Sequence, residues 1–242
     1  MTSSILEQFV TLPVEAEPAM QAFTAQPKGN GAFPGILIFQ EAFGVNHHIR
    51  SLVSRFAEQG YVAIAPEFFH RTAPAGFEAN YGDFEAVRPH SSVLTTEKLE
   101  ADIKAAYNWL SSQPQVKKDS IVCSGYCMGG RCSYIANSIL PLKAAVSYYA
   151  GGMKDEMLQR ASQLHAPMLF FWGGLDKHIP EEQRRGVTEA LEKADKKFVN
   201  VVVSDADHGF FCDERSAYNE HAAKEAWALT LSFLEQKLGG NK

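Results

Sequence analysis

A chain of 242 residues, 45% hydrophobic and 21% charged, has the composition of one globular domain large enough to bury a two-sided sheet. Its net charge of −5 gives no reason to expect nucleic acid, and no run is both apolar and long enough to span a bilayer. Residues 1–8 lack the basic start and apolar core of a secretory leader, so a cytoplasmic protein is expected, with neither nucleic acid nor membrane as partner.

Residues 9–12 and 20–24 alternate as two strands of an antiparallel N-terminal meander, separated by Pro13 and Pro18. Residues 35–40 are a continuous apolar run, typical of a strand buried on both faces. After the loop 41–46, Ile49, Leu52, Val53 and Phe56 recur at helical spacing, and Gly60 closes the helix. A second buried strand covers 61–65 and stops at Pro66. The segment 67–93 has no clean period. It is rich in aromatics (Phe68, Phe69, Phe77, Tyr81, Phe84) and broken by Pro74, Gly76 and Pro89. A lid or pocket wall and a surface excursion with short helices both fit it. Residues 94–112 are helical, with Leu99, Ile103, Ala106, Tyr107 and Leu110 on one face. Strands follow at 121–123, 144–149, 168–172 and 198–203. Helices follow at 180–194 and 219–238, with another opening after residue 127. Alternation of strand and helix from residue 35 onward predicts a mostly parallel central sheet with helices on both faces and an antiparallel N-terminal edge. We read 1–242 as a single α/β domain.

The strand at 121–123 runs into Gly125, Tyr126, Cys127, Met128 and Gly129, and then Cys132, Tyr134, Ile135 and Ile139 recur at helical spacing. Strand, five-residue turn and helix with the form G-x-C-x-G is the nucleophile-elbow pattern of α/β-hydrolases, with cysteine in place of serine. The middle residue sits on a strained bend, and a Cβ at either flank would crowd the neighbouring backbone. The bend also sets Cys127 at a helix N-terminus, whose partial positive charge favours thiolate. Taken alone, the pattern reads equally well as a capped helix with an inert, buried cysteine. The remaining cysteines stand at 123, 132 and 212, and no two form C-x-x-C, so neither a disulfide framework nor a zinc site is expected. The eight histidines show no H-x-x-x-H spacing, and no metal or cofactor is expected.

In a sheet of this kind the reactive groups gather at the carboxyl ends of strands. Cys127, Asp176 and His208 each follow a predicted strand, in the chain order nucleophile, acid, histidine. His208 would take the Cys127 proton and later protonate the leaving group, while Asp176 would fix the imidazole tautomer. Asp176 could instead cap the helix opening at Pro180, Asp205 and Asp207 are rival acids, and His208 with Gly209 could be an ordinary turn. An oxyanion hole would take the Met128 N–H and a second N–H near Glu41 and Ala42. Glu41 reads most simply as an exposed loop acid.

Residues 40–46 (Q-E-A-F-G-V-N), 125–130 (G-Y-C-M-G-G), 174–176 (G-L-D) and 207–210 (D-H-G-F) together resemble the dienelactone hydrolase (carboxymethylenebutenolidase-like) family. The similarity runs from about residue 30 to the end. It implies an α/β-hydrolase fold and a Cys-Asp-His triad at Cys127, Asp176 and His208. It also implies a glutamate, Glu41, that contacts the resting thiol, and an oxyanion hole at the backbone of Ala42 and Met128. Phe43, Tyr81, Arg88, Phe210 and Cys212 are candidates for substrate binding. One departure stands out: chlorocatechol-pathway members place a carboxylate-binding arginine four residues after the histidine, and this chain has Cys212 there. Arg88 is an unaligned candidate for their second arginine.

A thiolate leaves a tetrahedral intermediate more readily than an ordinary alkoxide, so a cysteine nucleophile selects activated esters, enol-lactones or thioesters. The expected activity is therefore hydrolysis of a small-molecule ester or lactone by a monomer or small homo-oligomer. The alternative is a non-hydrolytic member that binds small molecules or senses oxidants through Cys127.

Overall fold

The computed structural model describes residues 4–239, so Met1, Thr2 and Ser3 of the stretch read for a leader lie outside the described residues. The chain divides into two compact units, Met1–Val122 and Cys123–Lys242.

In the first unit, β1 (Ile5–Leu12) and β2 (Met20–Pro27) pair antiparallel from Ile5↔Pro27 to Leu12↔Met20. β3 (Phe33–Phe39) lies parallel to β4 (Val62–Pro66), and β4 in turn pairs antiparallel with β2. Every residue of β4 is buried, as its unbroken apolar run requires. β5 (Val116–Tyr126) leads into the second unit, where it pairs in parallel with β6 (Ala145–Tyr148). β7 (Met168–Gly173) and β8 (Phe198–Val203) complete the parallel set. The eight-stranded sheet has the order β1-β2-β4-β3-β5-β6-β7-β8. It is the mostly parallel α/β sheet with an antiparallel N-terminal edge that the periodicity predicts.

Four helices start where a polar side chain caps them. Asn46 accepts the Ile49 N–H to open α1 (His47–Glu58), whose buried face carries Ile49, Leu52, Val53 and Phe56. Asp83 caps α2 (Phe84–Ser91), Thr95 caps α3 (Thr96–Ser112) and Asn219 caps the last helix, α7 (Glu220–Lys237). Between them lie α4 (Met128–Ile139), α5 (Asp155–Leu158) and α6 (Glu181–Lys193). No helix among the described residues is long and apolar enough to cross a membrane.

Three elements depart from the periodicity. The segment 67–93 contains α2, which buries only Val87 and holds Pro89 within it, so it has no apolar stripe to betray it. α5 and the 3-10 turn that follows turn only Met157 and Ala161 inward. β5 starts five residues before the predicted strand, because Lys117, Lys118 and Asp119 lie along it exposed and interrupt the apolar run.

Candidate active site

Between the last residue of β5 and the first of α4 stands Cys127, at φ 54° and ψ −114°. That is a glycine-like conformation, costing a residue with a Cβ of order 1–3 kcal/mol. Neighbouring backbone enforces it: the Cys127 N–H donates to the Tyr148 carbonyl at 3.0 Å, and its own carbonyl accepts from Gly130 at 2.9 Å. Two glycines make the turn possible. A Cβ on Gly125 would overlap the Gly129 carbonyl, and one on Gly130 would lie 2.7 Å from the Tyr148 oxygen. The expected need for glycine before the cysteine is met, and Gly130 adds a second close approach.

His208 follows β8 and Asp176 follows β7, and the two loops bring both to this turn. His208 Nε2 lies 3.2 Å from Cys127 Sγ, and its Nδ1 lies 2.7 Å from Asp176 Oδ2. The other Asp176 oxygen accepts the His178 N–H at 2.8 Å and the Ile179 N–H at 3.1 Å. Asp176 thus caps the turn before α6 with one oxygen and faces the imidazole with the other. Asp207 instead accepts the backbone N–H of His208 at 2.6 Å. Asp205 is exposed.

Burial disfavours a charge on the His208 ring. Its hydrogen bonds to Asp176 and Cys127, with the charges of both, outweigh that penalty and hold it up at about 10. Asp176 is also penalised by burial, but the His208 ring and two backbone N–H groups hold its carboxyl below the usual range. Two side chains that the motifs did not single out complete the setting. The Tyr149 ring centroid lies 5.1 Å from that of His208, and the His178 ring meets the imidazole edge-on at 5.5 Å. Tyr149 also has a positive φ, 36°. The signal for Tyr149 was its place as last residue of a predicted strand; nothing marked His178.

Phe210 and Cys212 are both 0% exposed, with the Phe210 ring against Tyr149. Both candidates for substrate binding are therefore core residues. The Arg215 guanidinium lies against Gly209, directly after His208. Cys123 is fully buried, and burial pushes its thiol up to about 12, which suits an inert core residue.

The other candidates belong to the first unit. Glu41 is fully buried, so the exposed-acid reading fails. Gln40 beside it donates to the Glu41 carbonyl and accepts the Phe68 N–H. Ala42 is half-buried, and Phe43 is buried against Tyr81 and Phe84, with ring centroids 5.0 and 5.4 Å away. Asn46 donates to the Tyr81 hydroxyl at 2.9 Å. The 67–93 segment is tied to the 41–46 loop. Ala79 N–H donates to the Phe43 carbonyl, and Gly44 bridges to Glu78 with a φ of 85° that no Cβ could adopt against the Phe77 carbonyl. Arg88 is exposed on α2.

The family model described as "Dienelactone hydrolase family" matches residues 20–238. A relative from Synechocystis sp. named "Putative carboxymethylenebutenolidase" is 32% identical, with 98% of this chain and 100% of that protein covered. One of the same name from Salmonella typhimurium is 35% identical, over 92% of this chain and 84% of that protein. Among solved structures, the "Putative Dienelactone Hydrolase" of Klebsiella pneumoniae superimposes with a TM-score of 0.87 at 31% identity, over 96% of this chain and 99% of the other.

Proposed function

This chain belongs to the dienelactone hydrolase family, and we propose that it hydrolyses activated esters or lactones through a thioacyl-enzyme on Cys127. The observation that supports this most is the unbroken path Cys127 Sγ, His208 Nε2, His208 Nδ1, Asp176 Oδ2, at 3.2 and 2.7 Å. Sγ adds to the acyl carbon, and the carbonyl electrons move onto its oxygen. The Met128 N–H, at the opening of α4, is the donor that would steady that oxyanion. Collapse breaks the acyl–oxygen bond, and His208 Nε2 gives its proton to the departing oxygen. A water then yields a proton to the same nitrogen and adds to the thioester, and Sγ is expelled to restore the resting site. Asp176 holds one tautomer throughout.

Because the first intermediate can expel either sulfur or oxygen, a substrate whose oxygen leaves easily is favoured: an enol-lactone, an aryl ester or a thioester. None of the four cysteines is in a disulfide, in keeping with work in the cytoplasm. The test is p-nitrophenyl acetate hydrolysis before and after iodoacetamide. Turnover should vanish in proportion to alkylation of Cys127. Full turnover in the alkylated protein would reject the cysteine mechanism, and no turnover in either state would favour the binding or thiol-sensing alternative.

A further inference from the structure

Among the described residues, β8 is the last strand of the sheet and has a neighbour on one side alone, β7, paired from Met168↔Phe198 to Gly173↔Val203. The carbonyls of Lys197 and Val203 accept from Met168 and Gly174. In a parallel ladder every second residue turns its backbone groups toward a given neighbour. The odd-numbered residues therefore face β7, while Phe198, Asn200 and Val202 turn their N–H and C=O groups outward.

Natural sheets blunt such an edge with lysine, proline, a bulge or an inward charge. β1, at the opposite edge, carries Glu7. β8 reads F-V-N-V-V-V and has none of these devices. Val199 and Val202, on opposite faces of the strand, are 41% and 49% exposed. The charges lie outside the strand and are segregated, with Lys196 and Lys197 before it and Asp205 and Asp207 after it.

We propose that β8 pairs antiparallel with β8 of a second copy, about a two-fold axis through Val201. The axis is set by three facts. Outward-facing residues must meet outward-facing residues, so Asn200 of one copy opposes Val202 of the other and both exchange backbone hydrogen bonds. Val199 then packs against the other copy's Val203 on one face, and Val202 lies beside the other copy's Asn200 on the opposite face. Lys197 of each copy comes opposite Asp205 of the other, and both are exposed. Lys196 is already committed, donating to the Leu164 carbonyl at 2.9 Å. A parallel arrangement would instead set lysine against lysine and aspartate against aspartate. A self-complementary edge of this kind closes as a dimer and leaves no further β8 to extend it.

Sedimentation of the full-length protein across a wide concentration range tests this directly. Wild type should form a dimer as concentration rises. The double variant Val199→Lys, Val202→Lys should remain monomeric, with unchanged far-UV circular dichroism and esterase turnover. Asp205→Lys alone should raise the dimer dissociation constant by about tenfold, the combined effect of two exposed ion pairs. Adding Lys197→Asp should bring it back. A wild type that stays monomeric throughout would overturn the proposal, as would a dimer indifferent to the valine variant or a charge swap that fails to restore pairing.

Discussion

Burial works against a charged imidazole at His208, yet its hydrogen bonds to Asp176 and Cys127 keep the ring protonated until about pH 10. The sign of that shift bears on catalysis. A leaving oxygen needs the Nε2 proton, and a raised pKa means the proton is present below about 10 and lost above it. The kcat/KM of an aryl ester should therefore hold on the alkaline side until pH rises through about 10. Asp176→Asn removes one of the supports, so the alkaline limb should move to lower pH and turnover should fall heavily, through loss of the correct tautomer. An unmoved limb in that variant would detach Asp176 from the imidazole. Asp207→Asn should leave the limb in place, because that side chain holds the backbone N–H of His208.

At the level of the element, the β5–α4 turn stores strain that a glycine would relieve. Cys127 sits at φ 54° and ψ −114°, so both Cys127→Ala and Cys127→Gly should lack turnover, while the glycine variant is the more stable by about 1 kcal/mol. Gly130→Ala should destabilise by about 1–3 kcal/mol, since its Cβ would lie 2.7 Å from the Tyr148 oxygen and 3.0 Å from the Ala150 Cβ. Chemical denaturation of the three variants beside wild type measures both effects. The turn was legible because glycines and an apolar strand mark it from both sides. α2 was not, because a two-turn helix that buries only Val87 needs no periodic stripe and is held by the Asp83 cap and its loop contacts. Tyr149 and His178 were hidden for another reason. They reach His208 through folding of the β6 and β7 loops, and no spacing along the chain encodes that meeting.

Across the whole molecule, the mostly parallel sheet could be read from the alternation of strand and helix. Chain order favoured Asp176 over its rivals as the acid; Asp176 lies 2.7 Å from the imidazole, while Asp207 turns to the backbone. Burial corrected what pattern could not show, namely that Glu41, Phe210 and Cys212 are all 0% exposed. Cys212 stands where the family resemblance leads one to expect a carboxylate-binding arginine, and a buried thiol cannot pair with a substrate carboxylate. A dienelactone methyl ester should accordingly be turned over with a kcat/KM roughly tenfold or more above that of the free acid, the scale of one missing charge-assisted hydrogen bond. Preference for the free acid, abolished by Arg215→Ala, would show that the guanidinium beside Gly209 serves as the anion site instead.

The proposed hydrolysis requires a covalent bond between Cys127 and the acyl group. Acid-quenched turnover of p-nitrophenyl acetate, followed by peptide mass analysis, reads that bond directly. The expected result is one acetyl group on the peptide containing Cys127, absent from the Cys127→Ala protein, whose steady-state rate falls by several orders of magnitude. Acetyl on another residue, or full turnover in Cys127→Ala, would contradict it.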